Sequence, residues 1–158
     1  MAEYRLDQTD RRIIAALQAD GRLTIQDLSE RCGLSPSPCR RRVLMLEEAG
    51  IIKGYAAQID QAKVGLPMSV FVSVKLERQR EEELDRFASS IATWPEVMDC
   101  YLMTGQRDYL LRVVVRDLET YQRFLMDKLT RLDGVASIES SFALGQVKRS
   151  SSLPIVDA

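Results

Sequence analysis

The sequence contains no histidine. Missing with it are the commonest general base and the commonest metal ligand, and every nucleophile system that pairs Ser or Cys with an imidazole. Cysteine is scarce: Cys32, Cys39 and Cys100 are odd in number and widely spaced, which suits buried thiols in a reducing cytoplasm better than a disulfide framework. There is no glycine-rich phosphate loop and no cysteine pair at metal spacing. No cofactor and no metal are therefore expected, and an enzyme has no catalytic constellation to rest on. Nothing approaches the roughly 18 apolar residues of a membrane span, and Met1–Leu6 is too short and polar to be read as a leader. Net charge is lacking too: the formal charge of the 158 residues is −1, so any binding of nucleic acid must come from local clustering.

What is present is ordinary globular composition, 46% hydrophobic and 28% charged, at a length that suits one medium domain or two small ones. Asp7-Gln-Thr-Asp10 predicts a helix start of the capping-box kind, with Leu6 as a staple. Ile13, Ile14 and Leu17 then recur at helical spacing, and Asp20-Gly21 stops the run, Gly21 being suited to a left-handed residue past the helix end. Thr24-Ile-Gln-Asp27 opens a short second helix that ends near Cys32-Gly33. Ser35 is a good N-cap for a third helix and Pro36 a good first residue. Cys39, Val43 and Leu46 form its apolar stripe; Arg41 points nearly opposite, flanked by Arg40 and Arg42, with Ser37 on the exposed side. A bare run of three arginines would mark only a solvated face. The helix order, the Ser-Pro start and the glycine-marked turn point instead to a helix-turn-helix whose third helix enters the major groove. Its arginines could neutralise phosphates or donate two hydrogen bonds to guanine. Residues 51–59 read as a short β wing, with Lys53 a phosphate contact. The expected DNA-contacting set is Ser35, Ser37, Arg40, Arg41, Arg42 and Lys53. Charge by halves decides nothing, since residues 1–60 hold 9 basic and 9 acidic side chains.

Asp60 to Pro67 reads as the linker, with Gly65 and Pro67 as breakers. Met68–Glu77 alternates as a strand. A helix follows with Leu84, Phe87, Ala88 and Ile91 on one stripe. Two strands, Val97–Met103 and Tyr109–Arg116, flank a loop at Thr104–Asp108. A second helix capped by Asp117 carries Leu118, Tyr121, Leu125 and Leu129, and a fourth strand spans Val135–Leu144. The order β-α-β-β-α-β is ferredoxin-like. The expected fold is therefore α+β: a winged helix-turn-helix over 1–59, a linker over 60–67 and a ferredoxin-like domain over 68–158. Two helices cover one sheet face, so the other needs a partner, most simply a second copy. Residues 149–158 fit either an added edge strand or a loose end.

Several fragments occur together in order: Leu6-Asp7-x-x-Asp10, Gly21-Arg22, Leu28-Ser29, Gly33-Leu34-Ser35, Arg42-Val43-x-x-Leu46-Glu47-x-x-Gly50-Ile51-Ile52, Gly54-Tyr55, Gly105-x-x-Asp108-Tyr109-Leu110-Leu111, Gly134-Val135 and Val147-Lys148. Each is weak alone; the ordered set, spanning nearly the whole chain, resembles the Lrp/AsnC family of leucine- and asparagine-responsive regulators. The resemblance implies a cytoplasmic, sequence-specific DNA-binding transcription regulator whose second domain is of the RAM/ACT-like kind. It implies dimers that build octamers or other even assemblies, and a free amino acid held between subunits. The pocket would use the Gly105–Asp108 loop with Thr104 and Tyr109 beside it, closed by Ser140 and Phe142 of a neighbouring subunit. An ammonium would need an acceptor such as Asp108, and a carboxylate would need donors such as the Gly105 backbone or the hydroxyls of Thr104 and Ser140. Gly105 and Asp108 are also ordinary turn residues. Two other readings stay open: an architectural DNA-binding protein without a ligand, and an amino-acid-regulated enzyme.

Overall fold

The computed structural model describes residues 4–155; residues 1–3 and 156–158, the outer ends of the two expected domains, lie outside the described residues. The chain divides into two compact units. One holds the described residues up to Gln58 together with those from Val147 onward, and the other is Ile59–Gln146.

The first unit has three helices, α1 (Gln8–Ala19), α2 (Ile25–Cys32) and α3 (Pro36–Glu48). The expected capping box at Asp7 forms, and the helix start at Thr24 proves to be a second one. Asp7 accepts from the Asp10 backbone N–H at 2.8 Å while Asp10 accepts from that of Asp7 at 3.1 Å, and Thr24 and Asp27 make the same exchange. These bonds use amide donors that a helix start otherwise leaves free. The turn into α3 is built on Gly33 at φ 66, a conformation costly for a side chain with a Cβ, and the Leu34 N–H closes it on Ser29 O at 2.9 Å. Ile13, Leu28, Cys32, Cys39 and Leu46, all buried, interlock as the core of this unit. Each large apolar side chain so buried contributes about 1.5–3 kcal/mol.

Two local expectations need correcting. Gly21 is not left-handed: α1 ends on Asp20 in an extended conformation, whose carboxylate accepts the Arg22 N–H at 3.0 Å. A Cβ on Gly21 would lie 3.6 Å from the Tyr55 ring, an ordinary van der Waals contact, so neither the backbone nor the space there demands glycine. Nor does 51–59 form strands. A strand needs a ladder partner, and among the described residues no strand pairs with this mostly exposed segment; Tyr55 anchors it by donating to Glu47 Oε1 at 3.0 Å.

In the second unit the elements are β1 (Met68–Leu76), α4 (Glu81–Ile91), β2 (Val97–Leu102), β3 (Tyr109–Val115), α5 (Leu118–Asp127) followed by a 3₁₀ turn (Leu129–Arg131), and β4 (Val135–Phe142). The sheet is antiparallel in the order β2-β3-β1-β4, the ferredoxin-like arrangement. Val70, Val72 and Val74 of β1, with Leu111 and Val113 of β3, face the helices and are fully buried against Phe87, Ile91, Tyr121 and Phe124. On α5 the buried partner of Tyr121 is Phe124, whereas Leu118 is exposed. The opposite sheet face carries Phe71, 39% exposed, Leu110, Tyr101 and an Arg112–Asp99 ion pair at 2.5 Å.

The linker and the C-terminal stretch also differ from expectation. Residues 60–67 fold as a hydrogen-bonded turn, with Asp60 Oδ1 accepting from the N–H groups of Ala62 and Lys63, and they belong to the second unit. Residues from Val147 on belong to the first unit rather than to the second. The physical reason is that Ile155 packs on the three-helix core and Leu153 hydrogen-bonds to Gln18.

Candidate nucleic-acid interface and ligand-binding unit

Helix α3 carries four of the six residues expected to contact DNA, Ser37, Arg40, Arg41 and Arg42. Its apolar stripe is buried as the spacing predicts: Cys39, Val43 and Leu46 are 0%, 7% and 0% exposed. That anchoring leaves Ser37, Arg40 and Arg41 exposed on the outer side. Among the described residues neither Arg40 nor Arg41 forms an ion pair, so both guanidinium groups keep all five donors for an external acceptor. Ser35 sits at the N-cap position, but its hydroxyl makes no capping bond, so it too is available to a phosphate or base. Lys53 is exposed, just past the end of the three-helix core.

Arg42 is placed differently. Its Nη1 lies 2.7 Å from Asp7 Oδ2 and 2.8 Å from Asp10 Oδ1. Asp10 is 2% exposed and also accepts from the Tyr4 hydroxyl. The Asp10 amide, and then Arg42, hold the Asp7 carboxyl below the usual carboxylate range, while the bonds to Asp10 and Asp7 hold Arg42 above its ordinary value. Arg42 thus ties α3 to the start of α1, and its fork is occupied inside the unit. This corrects the expectation that all three arginines share one outward role: at about 100° per residue, Arg42 turns back toward α1.

In the second unit, Thr104 and Gly105 are exposed in the β2–β3 loop, where Gly105 has φ 104. Asp108 is 5% exposed and fully engaged. Its Oδ2 accepts from the Leu76 N–H at 2.7 Å and its Oδ1 from Gln79 Nε2 at 2.6 Å. It pins the end of β1, so the expectation that Asp108 receives a ligand ammonium gives way to a positioning part. Tyr109 is buried, stacks on Phe87 at 4.5 Å and donates to Leu84 O at 3.1 Å; burial raises its phenol pKa. Arg107 pairs with Glu139. Ser140 and Phe142 lie on the helix side of β4, where the Ser140 hydroxyl bonds the Tyr121 hydroxyl and Phe142 meets the Tyr121 ring edge-on at 5.3 Å. Tyr109 pairs with Val74 and Phe142 with Val70, four residues along β1, on the strands either side of it. One chain therefore does not bring these two groups together.

Sequence reasoning missed a cleft of about 790 Å³ between α4 and β2, walled by Leu84, Ala88, Ile91, Cys100, Leu102 and Tyr109. Its signal was present as Cys100 and Leu102 alternating on a strand that α4 does not fully cover.

A three-helix unit with free arginines on its third helix, joined to a ferredoxin-like unit with an apolar cleft, is the plan of a ligand-responsive DNA-binding regulator. Comparison agrees in both parts: residues 6–53 match the winged helix-turn-helix DNA-binding model and residues 69–153 the Lrp/AsnC ligand binding domain. The chain belongs to the Lrp/AsnC family of transcription regulators. It is 50% identical over 155 residues to the Bkd operon transcriptional regulator of Pseudomonas aeruginosa, covering 98% of this chain and 100% of that one. Over 150 residues it is 38% identical to the DNA-binding transcriptional activator DecR of Escherichia coli, covering 95% and 99% of the two chains. Among solved structures, a transcriptional regulator from Neisseria meningitidis, crystallised as its L-Met complex, superposes with a TM-score of 0.89 at 43% identity, covering 95% of this chain and 97% of that one. Among the described residues no helix is long and apolar enough to cross a membrane.

Proposed function

We propose that this regulator binds double-stranded DNA through Ser35, Ser37, Arg40, Arg41 and Lys53, and that a free amino acid with an apolar side chain changes its assembly or its affinity for DNA. The observation that carries the first half is the pair of unengaged guanidinium groups, Arg40 and Arg41, on the exposed face of a helix whose other face is locked into the core. The second half is supported by the cleft between α4 and β2, which Tyr109 alone of the expected ligand-binding residues lines, and by the L-Met complex of the Neisseria relative. Thr104 and the Gly105 backbone supply the donors for a carboxylate, Tyr109 walls the cleft, and Asp108 holds the loop in place. Ser140 and Phe142 act from a neighbouring subunit. The unpartnered sheet face, with Phe71, Tyr101 and Leu110, pairs two copies, and dimers build larger even assemblies such as octamers. The protein works in the cytoplasm, with the DNA it regulates, and is not an enzyme.

Thermal unfolding of the full chain against millimolar free L-amino acids tests the effector. A ligand that binds the folded state raises the apparent stability by mass action, by about 2.7 kcal/mol at one hundred times its Kd. The expected result is a shift with one or a few apolar amino acids that shrinks when Thr104 is changed to Val. No shift across the panel would sink the effector half and favour the architectural reading.

A further inference from the structure

The DNA-binding unit carries a docking surface for a peptide segment, and the chain's own C-terminal residues occupy it. Gln18, in the last turn of α1, offers its side-chain amide to both backbone groups of one residue: Oε1 accepts from the Leu153 N–H at 2.6 Å and Nε2 donates to Leu153 O at 3.1 Å. That is the two-bond pattern of a strand pair, made by a side chain. The Gln18 main-chain carbonyl, near the helix end, accepts from the Ser152 hydroxyl at 3.4 Å. One residue further, Gln58 Nε2 donates to Ser151 Oγ at 2.9 Å. Ile155 completes the docking by packing on the core of the three helices. Three successive residues and one apolar anchor are thus read by the surface, yet every one of the hydrogen bonds is solvent-exposed and Leu153 remains 73% exposed. The docking is specific but shallow.

The segment is also continuous with β4. Ladder bonding there persists to Ala143, whose N–H donates to Ser69 O at 3.0 Å, and in the connector beyond it Leu144 and Val147 are fully exposed. The seven residues 144–150 between the anchored positions span at most about 25 Å when extended. A displacement of the end of β4 beyond the reach of this connector therefore requires residues 151–155 to leave their docked position. The bond from Gln58 adds to this, because Gln58 is where the chain first leaves the DNA-binding unit and Ser151 is near where it returns.

We propose that residues 151–155 are a releasable latch on α1 that couples the state of β4 to the DNA-binding unit; the coupling, though not the docking, rests on the effector reading above. The test uses the full chain and two variants, Gln18→Ala, which removes both amide bonds, and Ile155→Asp, which removes the anchor. Hydrogen exchange followed by mass spectrometry reads the docking. The expected result is that the peptide covering Leu153 exchanges at least tenfold slower than its intrinsic rate in the wild type, and that both variants lose this protection while β1 keeps its own. Exchange at the intrinsic rate in the wild type overturns the latch. The coupling is read with a labelled duplex selected by the wild type from random sequence, with and without each of the free L-amino acids. Both variants should hold the ligand-free Kd within twofold and lose at least two thirds of the amino-acid-induced change. An undiminished response in the variants overturns the coupling. A wild type whose Kd responds to no amino acid instead overturns the effector reading and the coupling with it, and leaves the docking to be decided by exchange.

Discussion

Arg42 and Arg41 are neighbours in sequence with opposite consequences when truncated. Arg42→Ala removes two short charge-assisted hydrogen bonds, to Asp7 at 2.7 Å and to Asp10 at 2.8 Å. Hydrogen bonds to charged groups are worth about 1.5–3 kcal/mol each. The Asp7 bond is discounted heavily because Asp7 is 50% exposed, whereas Asp10, at 2% exposed, would be left with a buried carboxylate oxygen facing no cation. A net loss of about 2 kcal/mol follows. In a unit of this size each kcal/mol moves the midpoint by about 4–8 °C, so a drop near 10 °C is expected if the unit melts on its own. Circular dichroism at helical wavelengths reads it, since the single tryptophan, Trp94, lies in the other unit. Arg41→Ala should melt within about 0.5 kcal/mol of wild type. It should bind DNA more weakly, with the slope of log affinity against log salt smaller by about 0.9, because one fewer phosphate is neutralised. Equal melting of the Arg42 variant and the wild type would refute the structural assignment, and an unchanged salt slope for the Arg41 variant would refute the DNA-binding role.

Asp108→Ala should lower the melting of the second unit by about 2 kcal/mol, by stranding the Leu76 N–H and Gln79, whether or not an effector is present; Trp94 fluorescence reports it. A full-stability variant that still loses its ligand response would instead restore Asp108 as a direct contact. Asp117 caps α5, and its carboxyl is pulled down to about 2 by the Thr120 hydroxyl first, then the Thr120 amide and Arg116. Because the folded value lies below the ordinary 3.8, this stabilisation is fully present above pH 4 and is lost as pH falls from there toward 2; titration of the Asp117 carboxyl by NMR should show that low midpoint. Phe71→Asp, at a position 39% exposed on the open sheet face, should convert the assembly to monomers in light scattering while leaving the fold intact by circular dichroism. Retained oligomers would move the interface elsewhere.

Much of this protein was legible in its sequence because the deciding interactions are local. The capping box at Asp7 and the helix start at Thr24 join residues three apart, the turn marked by Gly33 depends on one residue, and the stripes of α3 and β1 follow from period alone. The family resemblance lies in the same local signatures, and both halves of it are matched by the family comparisons. Other features depended on what lies far away in the chain. Helical spacing puts Arg40, Arg41 and Arg42 side by side, yet only the fold brings Asp7 and Asp10 against the third and leaves the first two open. A strand pattern in 51–59 means little until a ladder partner exists, and Asp108, ordinary in a turn, becomes a buried clamp because β1 ends beside it. The polar stretch from Arg149 shows no periodicity at all; its place was settled by a single glutamine 135 residues away and by an apolar core with room for Ile155. What the sequence by itself determined were the elements, their order and the chemistry each could offer, since these depend on short-range geometry. What only the tertiary structure decided was which charges are used up inside the molecule and which remain for DNA or ligand, because pairing in space has no signature along the chain.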